Sequence, residues 1–294
     1  MSNITTIIVG IGKLPHLTEC IKSVQVLSQQ IIVLDMGIDA QQAESIKTLE
    51  NVTVISIEPV SHIELLRETS KTYAKTEYIL FLDPDEVIPS ELAQKLLNDY
   101  EAFDTIKFPR KNIIFGSWIN HARWWPDYQT RLFRRDSATW PTELHSQPMI
   151  KGTELILEPE EQYAIVHYNY ATLDEFLSKM IRYAKADANT RFEKNERYTL
   201  AQGLTDGTSE FMSRYFAYDG YKLGMHGFVL SFLQMMYYPL VYFYFWEIKK
   251  YEKIEEKEIT TAFLDFYKNG LKEILHWMHV KNLVTWSNVF KEKI

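Results

Sequence analysis

The segment Phe81-Leu82-Asp83-Pro84-Asp85-Glu86 ends an apolar run in two carboxylates one residue apart. If that run is a strand of a parallel sheet, its end lies on the edge where open α/β folds bind ligands. Asp83 and Asp85 would there be hard oxygen donors suited to Mg2+ or Mn2+, which keep positions open for water and for the oxygens of a diphosphate. The same residues equally make an acidic cluster ahead of a helix starting at Ser90, favoured by the helix dipole. Downstream, Arg131, Arg134 and Arg135 carry guanidinium forks that match phosphate oxygens, although alternation along a strand sends Arg134 and Arg135 to opposite faces. Trp118, Trp124 and Trp125 have flat faces that stack on sugar rings or close a core.

The elements that must hold these groups follow from the hydrophobic pattern. Four runs, Ile4 to Val9, Ile31 to Leu34, Val52 to Ile57 and Tyr78 to Leu82, are nearly continuously apolar, as strands buried on both faces should be. Helices fit between them near Leu17 to Leu27, Ala40 to Leu49 and His62 to Ala74, with a further helix from Ser90. This alternation predicts an α/β protein with a mostly parallel sheet covered by helices. From about Thr105 to Tyr170 the helical period fades into short strand-like pieces separated by Trp, Pro, Gly and Asn, the pattern of the loop-rich half of a mixed sheet. Thr172-Leu173-Asp174-Glu175 then matches a capping box and opens a helical C-terminal region. The expected division is residues 1–171 for the α/β part and 172–294 for the helical part.

Composition bounds the function classes. Lys and Arg number 32 against 39 Asp and Glu, a formal net charge of −7, which argues against nucleic acid as a partner. A single Cys20 cannot form an internal disulfide, and the N-terminus lacks the basic segment and long apolar stretch of a secretory signal. A cytoplasmic protein starting at Met1 is therefore expected. Residues Leu223 to Trp246 contain no Asp, Glu, Lys or Arg, a length sufficient to cross a bilayer. Pro239, two glycines, Gln234, His226 and several Tyr and Trp make the run less apolar than a typical span. Peripheral contact with the cytoplasmic face of the inner membrane, an ordinary buried helix and true spanning are the three readings. Two amphipathic helices are expected after it, near Lys257 to Met278 and His279 to Glu292.

Taken together, the acidic end of the fourth strand and the segments around it resemble the family 2 glycosyltransferases, whose nucleotide-sugar-binding half has the GT-A fold and an Asp-x-Asp motif at this place. The middle segments Gly116-Ser117-Trp118-Ile119, Trp124-Trp125-Pro126-Asp127-Tyr128-Gln129 and Arg131-Leu132-Phe133-Arg134-Arg135 resemble a bacterial subgroup that includes lipopolysaccharide-core β-1,4-glucosyltransferases. The similarity continues through His167-Tyr168-Asn169-Tyr170, Arg182-Tyr183-Ala184 and His226-Gly227-Phe228, and so covers nearly the whole chain. Two departures stand out. The first strand leads into Gly10-Ile11-Gly12-Lys13 rather than a Thr-Tyr-Asn-Glu-like turn, and His145-Ser146 stands where the subgroup tends to have His-Glu.

The resemblance implies a GT-A fold with a helical C-terminal extension and the inverting, metal-dependent transfer of a sugar from a nucleotide-sugar donor, UDP-hexose by default. The acceptor would be a glycan or lipid-linked molecule in cell-surface polysaccharide synthesis. It implies donor contacts from Asp35, Arg67, Asp83, Arg131 and Arg134, and a Mg2+ or Mn2+ ion held by Asp83, Asp85 and His167. For the base that deprotonates the acceptor hydroxyl it points to Asp127, with Glu143 as second choice. By residue type alone, Asp127 could instead cap the turn after Pro126, and His167 could be a buried structural imidazole. The alternative function is a GT-A-fold binding or scaffold protein without turnover, motivated by the two departures. A nucleotidyltransferase or phosphatase would use the same acidic strand end, but the sequence has no P-loop or nucleophile motif for it.

Overall fold

Three of the four runs of Ile, Val and Leu in the first eighty residues fold as strands covered on both faces, Ile4 to Val9, Ile31 to Leu34 and Tyr78 to Leu82. The structure is a computed structural model, and it describes residues 2–60, 64–141 and 148–283. In chain order its elements are β1 (Ile4–Gly12), α1 (Leu17–Val24), β2 (Gln30–Ile38), α2 (Ala40–Lys47), β3 (Val52–Ser56), α3 (Glu64–Ser70), β4 (Tyr78–Leu82), β5 (Glu86–Val87), α4 (Ser90–Asp99), β6 (Thr105–Phe108) and β7 (Arg110–Ile114). There follow β8 (Ser117–Trp118), β9 (Gln129–Arg134), β10 (Ala138–Thr139), β11 (Met149–Ile150), β12 (Glu154–Ile156), β13 (Ile165–Tyr170), α5 (Leu173–Glu193), α6 (Leu200–Phe211), α7 (Met225–Ile248) and α8 (Glu256–Val280). The chain divides into two compact units, one of Met1–Ile113 with Trp125–Asn169, the other of Ile114–Trp124 with Tyr170–Ile294.

The first unit is the expected α/β structure. Its seven-stranded sheet has the order β12-β6-β9-β4-β1-β2-β3. Strands β3, β2, β1 and β4 run parallel, β9 is antiparallel to both β4 and β6, and β12 is parallel to β6. Alternation splits the strand side chains into two cores. Ile4, Ile8, Val33, Leu80 and Leu82 pack with Leu17, Ile21, Leu92 and Leu96 of α1 and α4. Ile7, Val9, Ile32, Leu34, Ile79 and Phe81 pack on the other face with Phe133 and Trp140. Phe81, Phe133 and Trp140 meet at centroid distances of 4.6 to 5.1 Å, which anchors the end of β4 beside its acidic turn. The edge strand β3 is only partly buried, unlike the double-sided burial its composition suggests. An edge has one neighbour, so less of it can be covered.

Several expected helices are shorter than predicted. α1 ends at Val24 rather than Leu27, α2 at Lys47 rather than Leu49, and the third is Glu64–Ser70 followed by a 3-10 turn at Lys71–Tyr73. The apolar residues beyond each end are carried by tighter turns, which keep the same face inward for one more step. The start of the third helix at His62 lies outside the described residues.

The second unit is helical. Thr172 Oγ1 accepts from Glu175 N at 3.2 Å, while the Glu175 carboxylate accepts from Ala171 N at 2.7 Å, one residue before the partner a capping box would use. The full box is instead at Thr199 and Gln202, opening α6. A Cβ on Gly207 would stand 2.6 Å from the carbonyl of Met235, so this glycine lets α6 and α7 approach closely. α6 runs on into a π-helical turn at Met212–Ala217, which the sequence reading does not anticipate. α8 runs to Val280, so the break expected after Met278 falls two residues later, at Lys281 and Asn282, and the helix predicted toward Glu292 lies largely outside the described residues.

Candidate active site

β4 delivers its last residue, Leu82, buried, and the chain then turns through Asp83-Pro84-Asp85 into β5. The turn is closed by two reciprocal bonds: Glu86 N donates to Asp83 O at 3.0 Å, and the Glu86 carboxylate accepts from Asp83 N at 3.1 Å. Glu86 is thereby folded beneath the turn and fully buried. A buried carboxylate is costly unless it is paired. Arg131 of β9 and Arg110 of β7 supply that pairing, at 2.5 and 3.1 Å. Arg131, itself buried, also donates to the Asp83 carboxylate.

Arg110 extends the network. Its Nε and Nη2 both donate to Asp127 Oδ2, at 3.0 and 2.7 Å, and Asn112 Nδ2 donates to the same oxygen at 2.8 Å. Arg110 and Asn112 are two residues apart on β7 and therefore share a face. Asp127 has φ of +29°, a conformation a non-glycine residue adopts at a cost, and three donors fix its carboxylate there. Its other oxygen, Oδ1, takes a 3.5 Å contact from Gln129. On its far side Asn112 meets His167 of β13, Nδ1 to Oδ1 at 2.6 Å, and His167 Nε2 faces Asp85 Oδ2 at 3.7 Å. Tyr168 stacks on His16 at 3.9 Å with rings 5° from parallel, and its N–H donates to Asp85 O at 2.9 Å, which holds β13 against the acidic turn.

Electrostatics decide the charge states. Burial pushes the Asp83 carboxyl up, but Arg131, then Arg67 and Arg110, outweigh it and hold it well below the usual carboxylate range. Asp127 behaves alike: burial raises it, and Arg110 with the Asn112 hydrogen bond brings it below the ordinary aspartate value. Arg131 loses by burial and gains more from Asp83 and Glu86, so it stays charged. Both aspartates are therefore ionised at neutral pH.

Of the residues singled out from sequence, the fold gathers Asp83, Asp85, Asp127, Arg131 and His167 around one sheet edge. Asp35 ends on that same edge, its strand β2 pairing with β1, and its carboxylate accepts from Gly37 N and Ile38 N at 2.8 and 2.6 Å. Arg67 lies over the Phe81 and Trp140 rings at 5.4 and 5.7 Å and lines a narrow cleft with Ile7, Val9, Ser70, Phe81, Leu82 and Asp83. Arg134 does not join them. It stands opposite Tyr78, at the start of β4, where it pairs with Glu77 and Asp104. Three residues along an antiparallel strand carry it about 10 Å from Arg131. Arg135 donates to the carbonyls of Ala74 and Thr76. Glu143 lies outside the described residues. Glu86, Arg110 and Asn112 are not marked by the sequence pattern, because Arg110-Lys111-Asn112 is a polar run and only strand pairing decides which of its side chains meet the site.

The donor set suits a cation in part. Among the described residues no three His, Cys, Asp or Glu side chains converge as a ready-made metal cage. Asp83 is engaged by Arg131, which leaves the Asp85 carboxylate and the His167 imidazole as a facing oxygen and nitrogen pair. Two protein ligands are what a Mg2+ or Mn2+ ion needs when substrate phosphates and water complete its shell, and the imidazole favours Mn2+.

No family model matches the chain. Among solved structures it is similar to residues 1–349 of S. aureus TarS, at 16 % identity and a TM-score of 0.41 over 80 % of this chain and 81 % of that one. The same TarS fragment in complex with UDP aligns at 16 % identity and a TM-score of 0.41, over 64 % of this chain and 66 % of that one. The bifunctional IspDF from Campylobacter jejuni aligns at 12 % identity and a TM-score of 0.40 over 59 % of this chain, which spans about half, 54 %, of the IspDF length.

Proposed function

We propose that this chain is a metal-dependent, inverting glycosyltransferase of the family 2 type, which moves a hexose from a nucleotide-sugar donor to a glycan or lipid-linked acceptor in surface polysaccharide synthesis. The observation that carries this reading is the facing of Asp85 and His167 at the ligand-binding edge of a parallel sheet, with the ionised Asp127 bonded into the same network. Motif resemblance from Trp124 to Arg135 supports the lipopolysaccharide-core subgroup. Asp85 and His167 would hold the Mg2+ or Mn2+, and the ion, when bound, would neutralise the charge of the departing diphosphate. Arg131 keeps Asp83 ionised and in place at the rim, and Arg67 borders the cleft beside it.

Asp127 Oδ1 takes the acceptor hydroxyl proton. Because Arg110 holds its pKa low, Asp127 is a weak base, and the proton moves as the acceptor oxygen closes on the sugar rather than before. Peripheral membrane contact is part of the proposal and rests on α7, the one helix among the described residues long and apolar enough to cross a bilayer. Along it Phe228, Phe232, Met236 and Phe243 are exposed at spacings of four, four and seven residues.

The test is calorimetric titration with a panel of nucleotide sugars, each with and without Mn2+, followed by a nucleotide-release assay on any binder. Asp85→Asn should abolish cation-dependent donor binding. Asp127→Asn should retain donor binding and lose about 10²- to 10⁴-fold in transfer. Normal turnover by Asp127→Asn would move the base elsewhere, and Glu143 is next in line. If no nucleotide sugar binds with any cation, the reading is wrong and a scaffold role replaces it.

A further inference from the structure

One side chain in the network takes part in neither proposed chemical step, yet touches both groups that do. Asn112 is fully buried on β7. Its amide has two distinct ends, a donating NH2 and an accepting oxygen. The ionised Asp127 carboxylate can only accept, so the end that faces it at 2.8 Å must be Nδ2. The oxygen is thereby turned toward His167 Nδ1, 2.6 Å away, and only an Nδ1–H can meet it. Neutral imidazole carries one proton, so Nε2 is left with its lone pair, aimed at Asp85. Asn169 Nδ2 approaches the same Asn112 oxygen at 3.5 Å, and reversing the Asn112 amide would set its oxygen against the Asp127 carboxylate, acceptor against acceptor.

We infer that Asn112 is a positioning residue that sets Asp127 and His167 at once: its NH2 orients the carboxylate, and its oxygen selects the His167 tautomer that presents a ligand lone pair to Asp85. A neutral histidine side chain in water prefers the other tautomer, with the proton on Nε2, so the selection must come from the protein. A partner bonded to the remote ring nitrogen is the usual way a metal-binding histidine is oriented. The use made of the tautomer rests on the glycosyltransferase reading; the tautomer itself does not.

Two substitutions separate the two ends of the amide. Asn112→Asp keeps an acceptor for His167 and sets a carboxylate oxygen against Asp127. Asn112→Leu removes both bonds at similar volume. The readout is the tautomer of His167 in metal-free protein labelled with ¹⁵N-histidine, in mildly alkaline buffer, its ring signals assigned with His167→Gln, together with Mn2+ affinity by electron paramagnetic resonance and transfer kinetics. The wild type should show the proton on Nδ1. Asn112→Asp should keep that tautomer and the Mn2+ affinity while kcat falls about 100-fold. Asn112→Leu should move the proton to Nε2 and weaken Mn2+ binding about 10- to 100-fold. A wild-type proton on Nε2 overturns the inference with no variant needed, as does an unchanged tautomer in Asn112→Leu, and a variant that fails to fold leaves the wild-type and Asn112→Asp spectra to decide. If the tautomer shifts as stated but no protein binds Mn2+ or nucleotide sugar, the positioning role stands and the glycosyltransferase reading falls.

Discussion

Two i,i+4 ion pairs of the helical unit and the ion pairs around the acidic turn of the sheet unit are built from the same residue types over different reaches of chain. In the helical unit Arg191 meets Asp187 at 2.9 Å and Arg214 meets Glu210 at 2.6 Å, each one helical turn away. Pairs at this spacing form as soon as the helix does, and Glu210 and Arg214 then also hold Arg123 and the Ala122 carbonyl. In the sheet unit Arg131 reaches Asp83 and Glu86, 48 and 45 residues back, Arg110 reaches Asp127 across 17, and His167 reaches Asn112 across 55. These contacts exist only once β4, β5, β7, β9 and β13 are assembled. Burying them costs desolvation that a hydrophobic cluster would avoid, and the return is a fixed arrangement of charge at one sheet edge.

The comparison can be broken most sharply at Arg131. Arg131→Met should leave the buried Glu86 with Arg110 as its remaining guanidinium, take the Arg131 guanidinium from the half-buried Asp83, and cost about 3 kcal/mol, read as a lower urea midpoint. Acid should come next in size. Asp83 and Asp127 have folded pKa values below the ordinary carboxylate range, so their contribution is fully present above the unfolded pKa of about 3.9 and is lost as pH falls through the folded values. Calorimetric Tm should therefore drop as pH is lowered below about 4, and the drop should be shallower in Asp127→Asn. In the helical unit, Thr199→Ala removes the α6 capping box and should cost about 1 kcal/mol by the same urea assay. The smallest effect belongs to Arg191→Gln, about 0.5 kcal/mol, because the pair is local and partly solvated. Equal losses for Arg131→Met and Arg191→Gln would erase the distinction between the two kinds of pair.

What could be read along the chain divides along the same line. Strand β4 was bounded correctly because Tyr78 to Leu82 is apolar and closed by Asp83-Pro84. The start of α4 at Ser90 is legible from Pro89 before it and Glu91 in its first turn, and that of α5 from the Thr172 cap, because these signals act within one turn. Asp83 and Asp85 stood out because a charged pair at the end of an apolar run is a local signal. Arg134 looked equivalent to Arg131, three residues away in the same basic cluster, and only its pairing opposite Tyr78 separates them. Asn112 carried no mark of importance, since its meaning lies in two partners 15 and 55 residues away.

The sequence by itself therefore determined the α/β class, the strand that carries the carboxylates and the helices that follow, because hydrophobic period, caps and turn residues act over a few positions. Tertiary structure alone decided that Arg131 would hold Asp83, that Glu86 would be buried beneath the turn, and that Asn112 would join Asp127 to His167. Those outcomes depend on which strands lie side by side, and strand order is set by the burial of two whole sheet faces rather than by any single segment.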